Sequence, residues 1–492
     1  MSLPTVRTVT ETDAELPAPQ DPELFAATTA AVLEARERAV AHRDAGGYLP
    51  RRSDFPTLSS FDAGQPNISR GVGTKVIEWD RLFGPKANSL VAIAYEDLPK
   101  TQELIALARG RDVLKQRWWP PVEAPGEFDE FMFQFQAAGF AHRIFDRLCH
   151  VVGEDFNNDD LLGAYVEAER GVLWEHLPVD IVVPIALLTF EDDRRSLTDS
   201  IAIERLSEHE QLARVPSGYS LAPVPYPLVG AATHSFVLAS WTIENRNHWA
   251  WSLDKPDAYP LEEIEACFEA LRLATGLRTG YTQIYMRAKG WAQSWVAHLP
   301  PVVSGPIVRR YPPSFDDFGW LLEPTTVTEE NAAAAAEIFS ELTGAPGPIR
   351  LAGRRLSDAL LRDREDDTVV DLCIALEGVL GDRSPNEITH KLALRTAAVV
   401  GRVTPRVESA DQVFRDVKRL YAYRSKVVHG GDPGTTRFAP RSDGPGPPIV
   451  DVAERYVRLV LRELLRTPEL QDPQRIDQKL VLGAINGGEE RK

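Results

Sequence analysis

Apolar positions recur at helical spacing through DPELFAATTAAVLEARERAVAHRDAG (21–46), and Gly46 and Gly47 supply a stop. The same period runs through residues 129–153 and 260–276, the latter ended by Gly276. Between them the pattern shortens. Residues 180–193 and 196–215 read as strand, acidic turn, strand and helix, with Ser207 and Glu210 spaced as a capping box. Residues 232–245 read as a further strand. After about residue 325 the β pattern stops. Helices are expected at 328–344, 354–363, 368–381, 386–401, 409–430 and 448–467, most of them followed by Gly, with a Gly- and Pro-rich loop at 430–448. The expected organisation is a disordered Pro-, Thr- and acid-rich tail (1–22), an α+β region (23–325), then an all-α helical bundle (326–492).

Composition narrows the functional classes. The 492 residues carry 55 Lys+Arg against 72 Asp+Glu, a net charge of −17. A surface that binds nucleic acid all over is basic, so any such site here must be a local patch. Cys149, Cys267 and Cys373 are few, odd in number and far apart, which points to a reducing, cytoplasmic setting rather than a disulfide framework. The most apolar run, VDIVVPIALLTF (179–190), is too short to cross a bilayer and contains Pro184. No membrane association, metal or cofactor is expected.

Common catalytic signatures are absent: no phosphate-binding G-x-x-x-x-G-K-[ST], no H-E-x-x-H, no C-x-x-C and no G-x-S-x-G. Glu191, Asp192 and Asp193 cluster, and a solvated turn accounts for them better than a metal site. Trp241, Trp249 and Trp251, near His248, could stack on bases, although aromatics at this spacing more often fill a core or interface.

One stretch carries chemistry. In YAYRSKVVHGG (421–431), Arg424 precedes His429 by five positions, and two glycines follow. Spacing alone is weak, because Arg36/His42, Arg143/His150, Arg170/His176 and Arg383/His390 also match. On a continuous helix Arg424 and His429 would diverge by about 140°. Gly430 and Gly431 place His429 at the helix end, where a turn could bring the imidazole back toward the guanidinium. A helix C-terminus also favours a protonated imidazole. Within 411–430, Arg415, Lys418, Arg419, Arg424 and Lys426 outnumber Asp411 and Asp416. RNA supplies its own 2′-hydroxyl nucleophile, so a proton shuttle and a cation on the phosphate are sufficient. The bland alternative is a solvated arginine and a residue next to a helix cap.

Three linked pieces resemble the ApeA-like HEPN family: Leu376 and Glu377 in one helix, Lys391, Arg395 and Ala397 in the next, then Tyr421, Arg424, Ser425, Val427, Val428, His429 and Gly430. The resemblance covers roughly 326–470. It implies a helical bundle that forms a homodimer, metal-independent RNA cleavage, and often a role in anti-phage defence or toxin systems. Arg424 and His429 would be the catalytic pair. Ser425, Lys426, Lys418 and Arg419 would support it or contact RNA, while Glu377, Arg395 and Tyr421 would orient the pair or brace the bundle. Residues 182–211 are similar to a segment that precedes the bundle in related bacterial proteins, and the N-terminal region would sense a phage or cellular trigger. A non-catalytic interaction module remains open, as does a separate activity in the α+β region, for which no motif was found.

Overall fold

The computed structural model describes residues 18–483 apart from 71–75, 87–90, 120–126, 216–223, 246–252, 254, 383–386, 404–407 and 443. At 57% helix and 18% strand, the chain is mixed α and β.

Helix α1 (Pro22–Asp44) starts where Asp21 accepts the Glu23 and Leu24 amides and Pro22 needs no partner for its nitrogen. Leu24, Thr28, Ala31, Val32, Ala35 and Ala39 form its buried stripe. Helices α2 (Pro99–Arg109), α3 (Asp112–Trp118), α4 (Glu127–Val151) and α5 (Asn158–Leu173) complete an N-terminal helical layer. Its own core includes Leu104, Phe133, Phe145 and Tyr165. The buried Glu169 accepts the Gln20 and Asp21 amides at 2.9 Å each and so ties the start of α1 to α5. The remainder of the expected tail, residues 1–17, lies outside the described residues. Short pairs accompany these helices: β1 (Arg51–Arg52) with β4 (Val76–Ile77) and β5 (Phe83–Gly84) with β6 (Ile93–Ala94), while the pair of β2 (Pro56–Ser60) and β3 (Pro66–Arg70) packs against residues 208–214 and 226–230.

The central sheet uses β7 (His176–Pro184), β9 (Arg194–Ser196), β10 (Ile201–Arg205), β11 (His234–Glu244), β12 (Tyr281–Ala288) and β13 (Val302–Arg310). Its order is β13-β12-β7-β11-β10-β9, antiparallel throughout. Alternate residues of β7, Leu177, Val179, Ile181 and Val183, join the main core, whereas Val182 joins a smaller cluster with Val237 and Tyr285. The expected capping box forms in half. Ser207 accepts the Glu210 amide at the start of α6 (Glu208–Arg214), but the Glu210 carboxylate binds Tyr285 at 2.7 Å and Arg287 at 2.9 Å instead. Sheet charges outcompete the local cap. Helix α7 (Tyr226–Gly230) leads into β11, and α8 (Leu261–Thr275) covers the sheet.

Strand pairing continues beyond residue 325, contrary to the sequence pattern. β14 (Thr325–Val327) pairs in parallel with β8 (Leu188–Phe190). Helices α9 (Glu329–Thr343), α10 (Gly347–Leu361), α11 (Glu365–Leu380), α12 (Ile388–Val400), α13 (Ala410–Val428) and α14 (Ile449–Arg466) follow. α10 begins seven residues before the expected 354. Gly353 lies inside the helix at a close contact: a Cβ there would lie 3.3 Å from Leu342 Cδ1. The expected loop 430–448 contains a hairpin of β15 (Phe438–Arg441) and β16 (Gly444–Pro448). Four prolines in its strands, Pro440, Pro445, Pro447 and Pro448, hid it, yet an edge strand tolerates missing donors. α14 packs on α10, α11, α12 and α13 through Val452, Tyr456, Val457, Val460 and Leu464.

Candidate functional site

Helix α13 carries the Arg424/His429 stretch. Ser409 caps its start by accepting the Gln412 amide. Val413, Asp416, Val417, Leu420, Tyr421 and Tyr423 face inward. At the other end the Gly430 amide donates to Val427 at 3.0 Å and the Gly431 amide to Lys426 at 2.8 Å, with Gly430 at φ +69°. This is a Schellman stop. His429 itself keeps φ −93° and ψ 8°, and its amide donates to Ser425. The chain therefore reverses one residue after His429, and the imidazole stays on the helix's course. Among the hydrogen bonds of the described residues none joins Arg424 to His429.

The two side chains serve different faces. At about 100° per residue, the exposed His429 falls within about 20° of Lys418, 40° of Ser425 and 60° of Lys426. Arg424 lies on the flank toward α11. Its Nε is shielded from solvent and has no hydrogen-bond partner among the described residues. Close by, the buried Tyr421 hydroxyl donates to the Cys373 carbonyl at 3.3 Å and sits beside the Glu377 carboxylate. Burial pushes both the Tyr421 phenol and the Cys373 thiol far up, and the positive charge of Arg424 offsets this in part. Glu377, Tyr421 and Arg424 thus converge across α11 and α13.

Local charge favours an anion more than the residue count suggested. Asp416 is fully buried, where it accepts Gln412 and Arg441 at 2.8 Å and Tyr456 at 2.8 Å. Asp411 pairs with Arg415 at 2.7 Å. Lys418, Arg419, Arg424 and Lys426 remain without an acidic partner among the described residues. Lys418 lies over the Phe414 ring, 5.6 Å from its centroid, beside an open hollow lined by Glu387, Thr389 and His390. Lys426 donates to the Pro433 carbonyl at 3.2 Å and holds the loop after the glycines. Ser425 is exposed.

Arg395 is elsewhere. Only 2% exposed, it donates to Asp477 at 2.6 Å, Asp382 at 3.0 Å and the Leu380 carbonyl at 2.7 Å. Lys391 shares Asp382 at 3.2 Å. These two residues clamp the ends of α11 and α12 to the segment after α14.

The competing matches are engaged otherwise. Arg36 covers the Phe156 ring and His42 contacts the Tyr48 carbonyl. His150 contacts the Ile77 carbonyl, and Arg170 donates to Gly290. Arg383 lies outside the described residues, as do His248, Trp249 and Trp251, while Trp241 packs against the main core. The acidic turn is a paired one: Glu191 accepts the Glu329 amide at the start of α9, Asp192 holds Arg195 and Asp193 holds Arg205. Among the described residues no cluster of three or more His, Cys, Asp or Glu is arranged to hold a metal, and no helix is long and apolar enough to cross a membrane. No family model, curated protein or solved structure matches the chain.

Proposed function

We propose that this chain is a metal-independent endoribonuclease of the HEPN type, acting in the cytoplasm as a homodimer. The observation that carries the reading is Arg424, a cation with a shielded, unpartnered Nε, next to Lys418 and Lys426, which have no ion-pair partner among the described residues and share a face that ends in His429. The divergence of the pair within one chain favours a cleft shared by two copies, in which Arg424 of one copy and His429 of the other meet one phosphate. There His429 accepts the proton of the RNA 2′-hydroxyl as its oxygen forms a bond to phosphorus. The bond from phosphorus to the 5′-oxygen breaks, and the imidazolium returns the proton to that oxygen. Arg424 neutralises the charge that builds on the phosphoryl oxygens. The products are a 2′,3′-cyclic phosphate and a 5′-hydroxyl. The N-terminal region would sense a phage-derived or cellular trigger in a defence or toxin-like role.

The test is RNA cleavage by wild type, R424A and H429A, with and without EDTA. The proposal expects cleavage by wild type alone, unaffected by EDTA; equal cleavage by all three proteins would sink it. A second reading, a non-catalytic interaction or RNA-binding module, draws on the net charge of −17 and the separated pair. It prevails if the protein binds RNA or a partner protein and cuts nothing.

A further inference from the structure

A cavity of about 290 Å³ lies between α4, α5, the end of α3 and the end of β11. Two arginines, Arg117 and Arg143, line it together with Gln136, Gln293 and the rings of Trp118 and Phe140, and among the described residues no acidic one does. That is unusual in a chain of net charge −17. Arg117 donates to the carbonyls of Val172 at 3.1 Å, Trp174 at 3.4 Å and Asn245. All three of its guanidinium nitrogens are engaged in this way, which pre-orients it, and Glu175 and Glu244 oppose the lowering of its pKa by burial. Arg143 has less support. Its single hydrogen bond, to Gln136 Oε1, is at 3.5 Å, and it has no ion pair among the described residues. Burial draws its pKa down, opposed by Asp80 and Tyr95 from farther off. Asp80 lies outside the cavity lining, and burial and then Asp146 push its own carboxyl up to about 6, against the pull of Arg143. A cation so placed is costly unless an anion joins it.

The geometry points to a binding site here for a small phosphomonoester that carries a flat ring, of nucleoside monophosphate size. The phosphate would pair with the Arg143 guanidinium, and Arg117 would add its positive charge from the cavity edge. Trp118 and Phe140 give the ring an apolar wall, and the Gln136 and Gln293 amides can read its edge. This inference does not rest on the RNA-cleavage reading, since no residue of α13 takes part.

Isothermal titration of the full-length protein tests it, with AMP, phenyl phosphate and inorganic phosphate as separate probes. The expected result is saturable 1:1 binding of AMP and phenyl phosphate, weaker binding of inorganic phosphate, and at least a tenfold loss of affinity in Arg143→Gln. Failure of all three probes to bind wild type overturns the site, and so does unchanged affinity in R143Q. Inorganic phosphate binding as tightly as phenyl phosphate overturns the ring subsite. If R143Q does not fold, Ser294→Trp at the exposed mouth replaces it, and undiminished AMP binding by S294W overturns the assignment.

Discussion

At the scale of single residues, two arginines of one sequence pattern part company. Arg395 is saturated by two carboxylates and a carbonyl, whereas Arg424 has an unpartnered Nε. Removing one member of a buried ionic cluster costs about 3 kcal/mol, because its partners keep their charge. Arg395→Met should therefore lower stability by about that amount in urea unfolding, while RNA cleavage per folded molecule stays near wild type. A cleavage defect as deep as that of R424A would instead make Arg395 a positioning residue. Gly430 offers a second probe. At φ +69°, with nothing within 4 Å of an added Cβ, its replacement meets backbone strain and no clash. Gly430→Ala should cost about 1 kcal/mol, read as a lower denaturant midpoint with an unchanged m-value. A larger loss would mean that the Schellman stop also anchors the loop held by Lys426.

At the scale of elements, the pairing of α8 with α10 makes stability depend on pH. Glu269 on α8 faces Glu265 of its own helix and Arg354 and Asp358 of α10, with Arg272 nearby. Burial first, then Glu265, raises its carboxyl from 4.5 to about 7. Stability from this group is whole below the unfolded value and is lost as pH rises through about 7. The expected change is at most about 3 kcal/mol across that window. Melting temperatures should fall between pH 5 and pH 8.5 in wild type, and Glu269→Gln should flatten the slope; an unaltered slope in E269Q would place the titrating group elsewhere. This interface also marks the limit of sequence reading. Helices α9 and α13 were legible because Thr328 and Ser409 cap their starts and Gly344 and Gly430 follow their ends. α5 was missed although Asn157 and Asp160 form a complete capping box, since Gly163 and Gly171 dilute its pattern. The partners of Arg395 lie 13 and 82 residues away, and no local pattern announces them. At the candidate site, the 140° divergence was legible from helical geometry. The direction of Arg424 toward Glu377 and Tyr421 was not, because it depends on where α11 lies.

At the scale of the whole molecule, the apolar cores do not follow the boundary expected near residue 325. One cluster runs from Val179 and Ile181 in the sheet, through Phe268 and Leu271 of α8, to Leu376, Leu420 and Val460 in the C-terminal helices. A second cluster, with Leu104, Phe145 and Tyr165, belongs to the N-terminal helices. Cooperative unfolding follows buried apolar contact, so the sheet and the C-terminal helices should melt as one unit and α1–α5 as another. Phe268 is fully buried against Phe236 and Tyr281. Its truncation to Ala removes a side chain worth about 3–5 kcal/mol. In scanning calorimetry F268A should lower the transition shared by sheet and bundle and leave the N-terminal transition in place. Phe145→Ala should do the reverse. Should F268A move the sheet's melting while the C-terminal helices melt at the wild-type temperature, the bundle is an autonomous domain and the continuous core contributes little between them. The distinction bears on the proposed function: a signal received among α1–α5 would have to reach α13 through a sheet that shares its core with the bundle, so a ligand that stiffens one unit should raise the melting of the other only through their contact.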